Sequence, residues 1–560
     1  MAGELTSVEA RAQDPSFLAD CSLEGLRSRL PLRWPAPSDT PPSPKNAYRS
    51  HYVYLGWEEL ESPAFWEHAS DFDLVLRLVD FSPLRPVLAQ LLGWTSARGQ
   101  TPFDPLSFFL LIGWQITQGW HRSQLLRALR DPRYADYARL FGFHDHHYPT
   151  EGGLRHFLTA LGQHSPAQEP ILLDGEKIAR QRLNQLLAQS VTLIREAGFV
   201  TPQAWQQALI CPDGMLHQAA SRLRCRAVTD SCYLPTSPTS PPPCPAKDKG
   251  RQGCHCHTPA CAQICRHATP RDPHARYVWY QGSNRHPDPD QPLDQADDKP
   301  SSGKGLYGYR SLPLQFADPI RRFSLILLDD FQPANRREET PVAALLLQLS
   351  NSYPSLHLDA VAGDAGFGYD IVLHTIHHDL QARRLVDLRA HPTDRDKTLW
   401  PLRGYDDHGH PICPFGYALC ANGFDRSRRR HKWTCLQTCR RGKKPLVTLP
   451  DAHYPPAECP YAASDRPHGL IVNLGERFAD GSIRLVRDVP VGTPEWKRLY
   501  HRARNAVEGR YASFEAWGLK RLSTYGLARG RATTFQADAW SNLSTLARLA
   551  REATLAKTDT

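Results

Sequence analysis

The stretch from Leu356 to Asp370, LHLDAVAGDAGFGYD, constrains the fold more than any other part of the chain. Leu356, Leu358, Ala360, Val361 and Ala362 run into Gly363-Asp364-Ala365-Gly366. A short apolar run that halts at a small-residue turn reads as a buried strand. Tyr369 to Leu380 then carry apolar positions at helical spacing, so the unit is strand, Asp-bearing turn, helix. A carboxylate at a strand end has the rigidity of the sheet and the openness of the turn, which suits it to hold a metal ion. It equally suits Asp364 to cap the following helix.

The remaining pattern predicts an α/β protein in several domains, since 560 residues exceed one compact core. Residues 1–50 are Pro-rich and polar and are expected to lack structure. Residues 51–165 carry leucines and aromatics at helical spacing, which fits a small helical domain, either a DNA reader or plain helical packing. A connecting segment, 166–205, reads as a long helix over 173–197. The α/β core is expected in three pieces, 206–227, 275–395 and 491–555. These hold a strand at Ala208–Ile210, a hairpin over Gly308–Leu328, a helix at Val342–Leu349 and a strand at Ala382–Leu388. A helix opens at Pro494 and a last one covers about 535–551. The insertions 228–274 and 396–490 interrupt this alternation; both are Cys-rich.

The net charge of +9 is concentrated rather than spread. Basic runs lie at Arg426–Lys432, Arg440–Lys444 and Lys497–Arg504, with Lys520-Arg521 beyond, and they favour a polyanionic partner. No apolar run approaches 18 residues and no signal pattern opens the chain, so a cytoplasmic protein with no membrane partner is expected.

Three acids stand out. Asp213 follows the strand at Ala208–Ile210, Asp364 ends the later strand, and Glu508 lies in the helix after Pro494, four residues from Arg504 on the same face. Two strand-end Asp and one helix acid can converge on a pair of Mg²⁺ ions, which prefer oxygen ligands and support phosphodiester chemistry. Asp329 and Asp330 compete for that role, Asp174 reads as a helix cap, and Glu508 alone reads as the partner of Arg504. The cysteines suggest structural Zn²⁺: Cys254, Cys256, Cys261 and Cys265 in the first insertion, and Cys413, Cys435, Cys439 and Cys459, in a ribbon-like arrangement, in the second. Free thiols in loose inserts are the alternative.

Over about 70–550 the sequence resembles the DDE transposases of bacterial insertion sequences. The matching residues are Asp213-Gly214-Met215-Leu216-His217, Gly308-Tyr309-Arg310 with the hairpin to Asn335, Gly363-Asp364-Ala365-Gly366-Phe367-Gly368, Arg504-Asn505-Ala506-Val507-Glu508, and Asn542. The resemblance implies a ribonuclease H-like mixed sheet core interrupted by two insertions and preceded by an all-α N-terminal domain. It implies Asp213, Asp364 and Glu508 as the catalytic triad on two Mg²⁺. The implied partners are double-stranded DNA, as element ends and target, and a second copy of the chain. Arg504, Lys520 and the run Arg428, Arg429 and Arg430 are the expected DNA contacts. Position 515, where relatives carry a cation, is Glu here. A nuclease on the same core and a zinc-stabilised DNA-binding protein without chemistry are the alternatives.

Overall fold

Three β excursions, each broken midway by a turn, organise the protein in this computed structural model. Ala208–Pro212 (β1) passes Asp213-Gly214 into Met215–Gln218 (β2). After Arg276–Tyr280 (β3), Lys304–Ser311 (β4) passes Leu312-Pro313 into Leu314–Ala317 (β5). Ser324–Leu328 (β6) passes Asp329-Asp330 into Phe331–Pro333 (β7). Hydrogen bonds stitch the breaks together: Asp213 N donates to Pro313 O at 3.2 Å, and Leu312 N to Asp330 O at 2.9 Å. The described residues are 23–163 apart from 46, 95 and 144–146; 170–220 apart from 174; 224–225, 268–269, 272 and 274–280; 304–386 apart from 319, 320 and 322; 404–405, 410–413, 415–427, 430–437, 439, 452, 459 and 469–475; and 494–555.

The breaks divide the excursions between two sheets. One is five-stranded, with order β6-β5-β1 continuing into Leu358–Gly363 (β8) and Arg383–Val386 (β9). β5 runs antiparallel to both β6 and β1, while β8 runs parallel to β1 and β9 parallel to β8. The other has β4 paired antiparallel with β7, β2 and β3. Every residue of β1 is buried, as expected of a central strand covered on both faces. Alternate side chains separate the faces: Leu209, Cys211, Ala360 and Ala362 pack against Trp496, Ala503 and Val507, while Ile210 and Val361 join the larger core.

The longer N-terminal helices are Asp71–Leu78 (α1), Leu84–Leu91 (α2), Pro105–Thr117 (α3), Arg122–Ala128 (α4), Glu151–Gln163 (α5) and Asn184–Glu196 (α6). Ser70 caps α1 in a capping box and Asp104 caps α3, with Pro105 at the first turn. Glu339–Ser352 (α7) precedes β8, and Asp370–His374 (α8) follows it. Pro494–Ala516 (α9) covers the Leu209 face of the five-stranded sheet, and Leu527–Leu555 (α10) closes the described chain. α10 packs on α1, α3, α5, α6 and β6 and is buried along most of its length. A Cβ at Gly113 would lie 2.0 Å from Trp540, and one at Gly162 would lie 1.8 Å from Ala528 O, so only glycine permits these approaches. Asn542 secures the sheet edge: Ile326 N donates to its Oδ1 at 2.8 Å, and its Nδ2 donates to Ile326 O at 2.9 Å and to Ser190 Oγ at 2.8 Å.

Several expectations change. The N-terminus is not structureless from Leu23 onward: Leu26, Leu32 and Trp34 are buried in the main core. The helix expected from residue 173 begins at Asn184, because Ile171–Leu173 and Glu176–Ile178 pair as a small hairpin around Gly175, whose φ is +76°. The helical segment expected as a separate domain shares one continuous core with the sheet, joined through Trp540, which packs on Phe72, Phe81 and Phe109. Among the described residues no helix is long and apolar enough to cross a membrane.

Candidate active site

β1 and β8 bring two carboxylates side by side. Val361 lies opposite Ile210 in the parallel pairing, and each strand runs three residues further, to Asp364 and Asp213. Neighbouring strands lie about 4.8 Å apart, so both acids leave the same end of the sheet. Asp213 is buried and its Oδ1 accepts from Gly214 N at 2.9 Å. Asp364 caps the short turn Ala365–Phe367, its Oδ1 accepting from Gly366 N at 2.8 Å. The capping role is therefore real, and it engages one of the two carboxylate oxygens.

α9 supplies the facing wall. Arg504 Nη1 donates to Asp213 Oδ2 at 2.7 Å. Tyr511, two turns further on, stands beside Asp213, but its buried hydroxyl has no hydrogen-bond partner of ordinary geometry. Glu508 lies between Arg504 and Tyr511 along the same helix face and is exposed.

A third carboxylate comes from a residue that the sequence pattern passed over. Glu338, at the N-cap of α7, pairs with Arg310 at 2.8 Å, and its side chain is 28% exposed. A Cβ on Gly214 would lie 2.8 Å from Glu338 Oε2, which sets this acid against the Asp213 turn. An acid at a helix start is ordinary on dipole grounds, so Glu338 carried no signal of its own. The available signal was Arg310, a cation in a strand otherwise fit for burial.

The electrostatics agree with the geometry. Burial pushes the Asp213 carboxyl up; Arg504 opposes the shift and the Asp364 charge adds to it. Burial likewise raises Glu338, with Arg310 opposing and Asp364 and Asp213 adding. For Arg504 burial acts downward and is the largest single influence, but Asp213, Cys211, Tyr500 and Asp364 together outweigh it and the net shift is upward. Three acids against two cations, beside an unpartnered hydroxyl, form a site that a hard divalent cation fits. Among the described residues no three ligand atoms of Asp213, Asp364, Glu338 and Glu508 all lie within 4.8 Å of one another. A cation bound there would compete with Arg504 for Asp213 Oδ2.

The other candidates fall elsewhere. Asp329 and Asp330 are structural: Asp329 Oδ1 accepts from Leu312 N at 2.7 Å, and Asp330 Oδ1 from Gln181 Nε2 at 3.1 Å. Lys520 pairs with Glu515 at 2.7 Å on the surface. Arg510, a further cation near Glu508, is fully buried and hydrogen-bonds Asp538 at 2.6 Å, so it cannot reach a phosphate. Arg430 opens a strand, Arg430–Thr434 (β11), between Cys420–Asp425 (β10) and Ile471–Gly475 (β12). Asp174, Arg428, Arg429, Cys254, Cys256, Cys261 and Cys265 lie outside the described residues.

Cys413, Cys435, Cys439 and Cys459 share one neighbourhood beside β11. Tyr417 N donates to Cys413 Sγ at 3.4 Å and Gln437 N to Cys435 Sγ at 3.3 Å; Gln437 has a φ of +54°. Burial pushes the Cys413 thiol up to about 11. No three of these sulfurs lie within 4.8 Å of one another, so the expected tetrahedral cage is not closed.

No protein-family model matches this chain, and neither a curated protein nor a solved structure matches it.

Proposed function

We propose that the chain is a DDE-type DNA transposase with a ribonuclease H-like core. The supporting observation is the strand order β6-β5-β1-β8-β9, three antiparallel strands followed by two parallel ones, with Asp213 and Asp364 at the same end of adjacent β1 and β8. The helix that returns over this end, α9, carries the third expected acid, Glu508, on the face that holds Asp213. Two strand-end acids and one helix acid suit a two-metal phosphodiester site; Mg²⁺ bound there would activate the attacking oxygen and stabilise the leaving one.

The chain's own residues do the rest. Asp213 and Asp364 supply rigid anionic oxygens, and the Asp364 cap keeps one of its oxygens fixed. Arg504, which pairs with Asp213, would hold a phosphate oxygen of bound DNA. The exposed cations Lys497, Arg498 and Arg502 on the first half of α9 extend the positive surface along a DNA backbone. The expected order of events is hydrolytic cutting at the element end, then attack of the freed 3′-hydroxyl on target DNA by a second copy-assisted complex. Zinc on Cys413, Cys435, Cys439 and Cys459 belongs to the same reading and is supported by the two N–H···S hydrogen bonds.

The test is an assay with Mg²⁺ on duplexes taken from the DNA flanking the coding region, in uncut and pre-cut form. Transposase activity predicts cutting of the first and joining of the second to a target plasmid. Cutting without joining identifies a nuclease, and neither activity removes the assignment.

A further inference from the structure

A second group of metal-ligating side chains stands apart from the acids, just after α8. The helix does not end at His374. It continues as a π turn, Thr375–Asp379, in which Leu380 N donates to Thr375 O at 3.0 Å. Gln381 then takes a φ of +52°, and β9 begins two residues later. π turns are rare and recur at functional sites.

The wider turn has a chemical consequence. In an α-helix, residues five apart point roughly 140° away from each other. In a π turn, with its i→i+5 hydrogen bonding, residues i, i+4 and i+5 share a face. His374, His378 and Asp379 have this spacing, and one ligand atom from each lies within 4.8 Å of the others. The two imidazole centroids are 4.8 Å apart. His378 Nδ1 is 3.3 Å from Asp379 Oδ1, and His374 Nδ1 is 3.7 Å from Asp379 Oδ2, the latter too long for a hydrogen bond. Tetrahedral zinc with bonds of ~2.0–2.1 Å sets neighbouring ligand atoms about 3.3 Å apart, close to this spacing.

The scaffold is rigid behind and open in front. Val372, Leu373 and Ile376 are buried in the main core and anchor the inner face of the turn. The His374, His378 and Asp379 side chains are 26%, 52% and 33% exposed, so an ion can enter from solvent.

We infer that His374, His378 and Asp379 bind one divalent transition-metal ion of the zinc class, through two imidazole nitrogens and one carboxylate oxygen, with water in the remaining position. Two imidazoles and a carboxylate suit zinc better than Mg²⁺, which takes oxygen ligands. The ion clamps the π turn and so fixes the connection from the Asp364 turn to β9. This site shares no residue with the acid cluster and stands or falls independently of the proposed activity.

The test uses the full chain, stripped with a chelator and re-equilibrated with Zn²⁺. Because zinc bound at the cysteines would add to the count, the readout is the difference in bound Zn²⁺ per chain. The expected result is one equivalent lost in His374→Ala/His378→Ala and in Asp379→Ala, with the full count kept in His377→Ala. Co²⁺ substitution should give a visible band without thiolate charge-transfer character that the double variant lacks. Equal zinc content in the wild type and the double variant, or the same loss in His377→Ala, overturns the proposal. Circular dichroism of each variant separates loss of the ion from loss of the fold.

Discussion

Arg504 Nη1 stands 2.7 Å from Asp213 Oδ2, so the cation proposed for DNA and the acid proposed for metal hold each other. Mg²⁺ bound at that oxygen would compete with Arg504. Arg504→Ala removes the competitor, so the Mg²⁺-induced rise in melting temperature should be larger in the variant than in the wild type, while DNA cleavage falls. Thermal melts across a Mg²⁺ series check this; a smaller Mg²⁺ response would mean that Arg504 supports the site rather than competing for it.

Glu338 should matter as much as the acids the sequence pointed to. Glu338→Gln keeps the shape and leaves Arg310 its bond to Arg336 O at 3.0 Å, so folding should survive. Loss of an anionic oxygen beside Asp213 should lower cleavage by at least about 10-fold and raise the Mg²⁺ needed for half-maximal rate. Wild-type cleavage with an unchanged Mg²⁺ requirement would reduce Glu338 to a partner of Arg310.

The buried triad of Arg510, Asp538 and Asp329 ties α9 to α10 and β6. All three side chains are fully buried, and burial with the Asp538 charge pushes the Asp329 carboxyl well up while Arg510 opposes the shift. Arg510 also stacks on Phe514 at 4.2 Å. Arg510→Ala leaves buried carboxylates uncompensated and should cost roughly 3–5 kcal/mol of stability, read by urea unfolding. A loss below 1 kcal/mol, on the order of an exposed pair, would contradict this burial.

His217 makes stability depend on pH. It is fully buried between Leu519 O at 3.0 Å and Ser311 Oγ at 2.9 Å, and burial lowers its pKa from 6.5 to about 4. Because the folded pKa is depressed, the unfolded chain takes up the proton first as pH falls. The contribution is therefore complete above pH ~6.5 and is lost progressively down to pH ~4, by about 3 kcal/mol in all. His217→Gln should flatten this part of the stability–pH curve; an identical slope would exclude His217 as the source.

The legible parts of the fold were those fixed by local pattern. Apolar runs ending in Asp-Gly or Gly-Asp gave β1 and β8 with their acids, and the helical spacing after Pro494 gave α9. Tertiary pairing was not legible. The hairpin at 171–178 was hidden because Asp174 read as the cap of a helix that in fact begins at Asn184, with its apolar face running from Leu183 to Ile194. Glu338 was missed because an acid at a helix start needs no partner to explain it, and only folding brings it to Gly214. Asp329 and Asp330 had the same local pattern as Asp213. What separates them is that their carboxylates accept from Leu312 N and Gln181 Nε2, while Asp213 faces Arg504 and Tyr511. The π turn at 375–379 left no pattern distinct from an α-helix.

Asp364→Asn tests the central claim most directly. The amide oxygen can still accept from Gly366 N, so the turn and the fold should persist. The charge is gone, and a hard cation is poorly held by a neutral amide. Cleavage and gel-shift assays on one preparation, with Mg²⁺ and duplex from the flanking DNA, should show cleavage reduced by at least about 100-fold with end binding retained. Cleavage at the wild-type rate would remove Asp364, and with it the carboxylate site, from the chemistry.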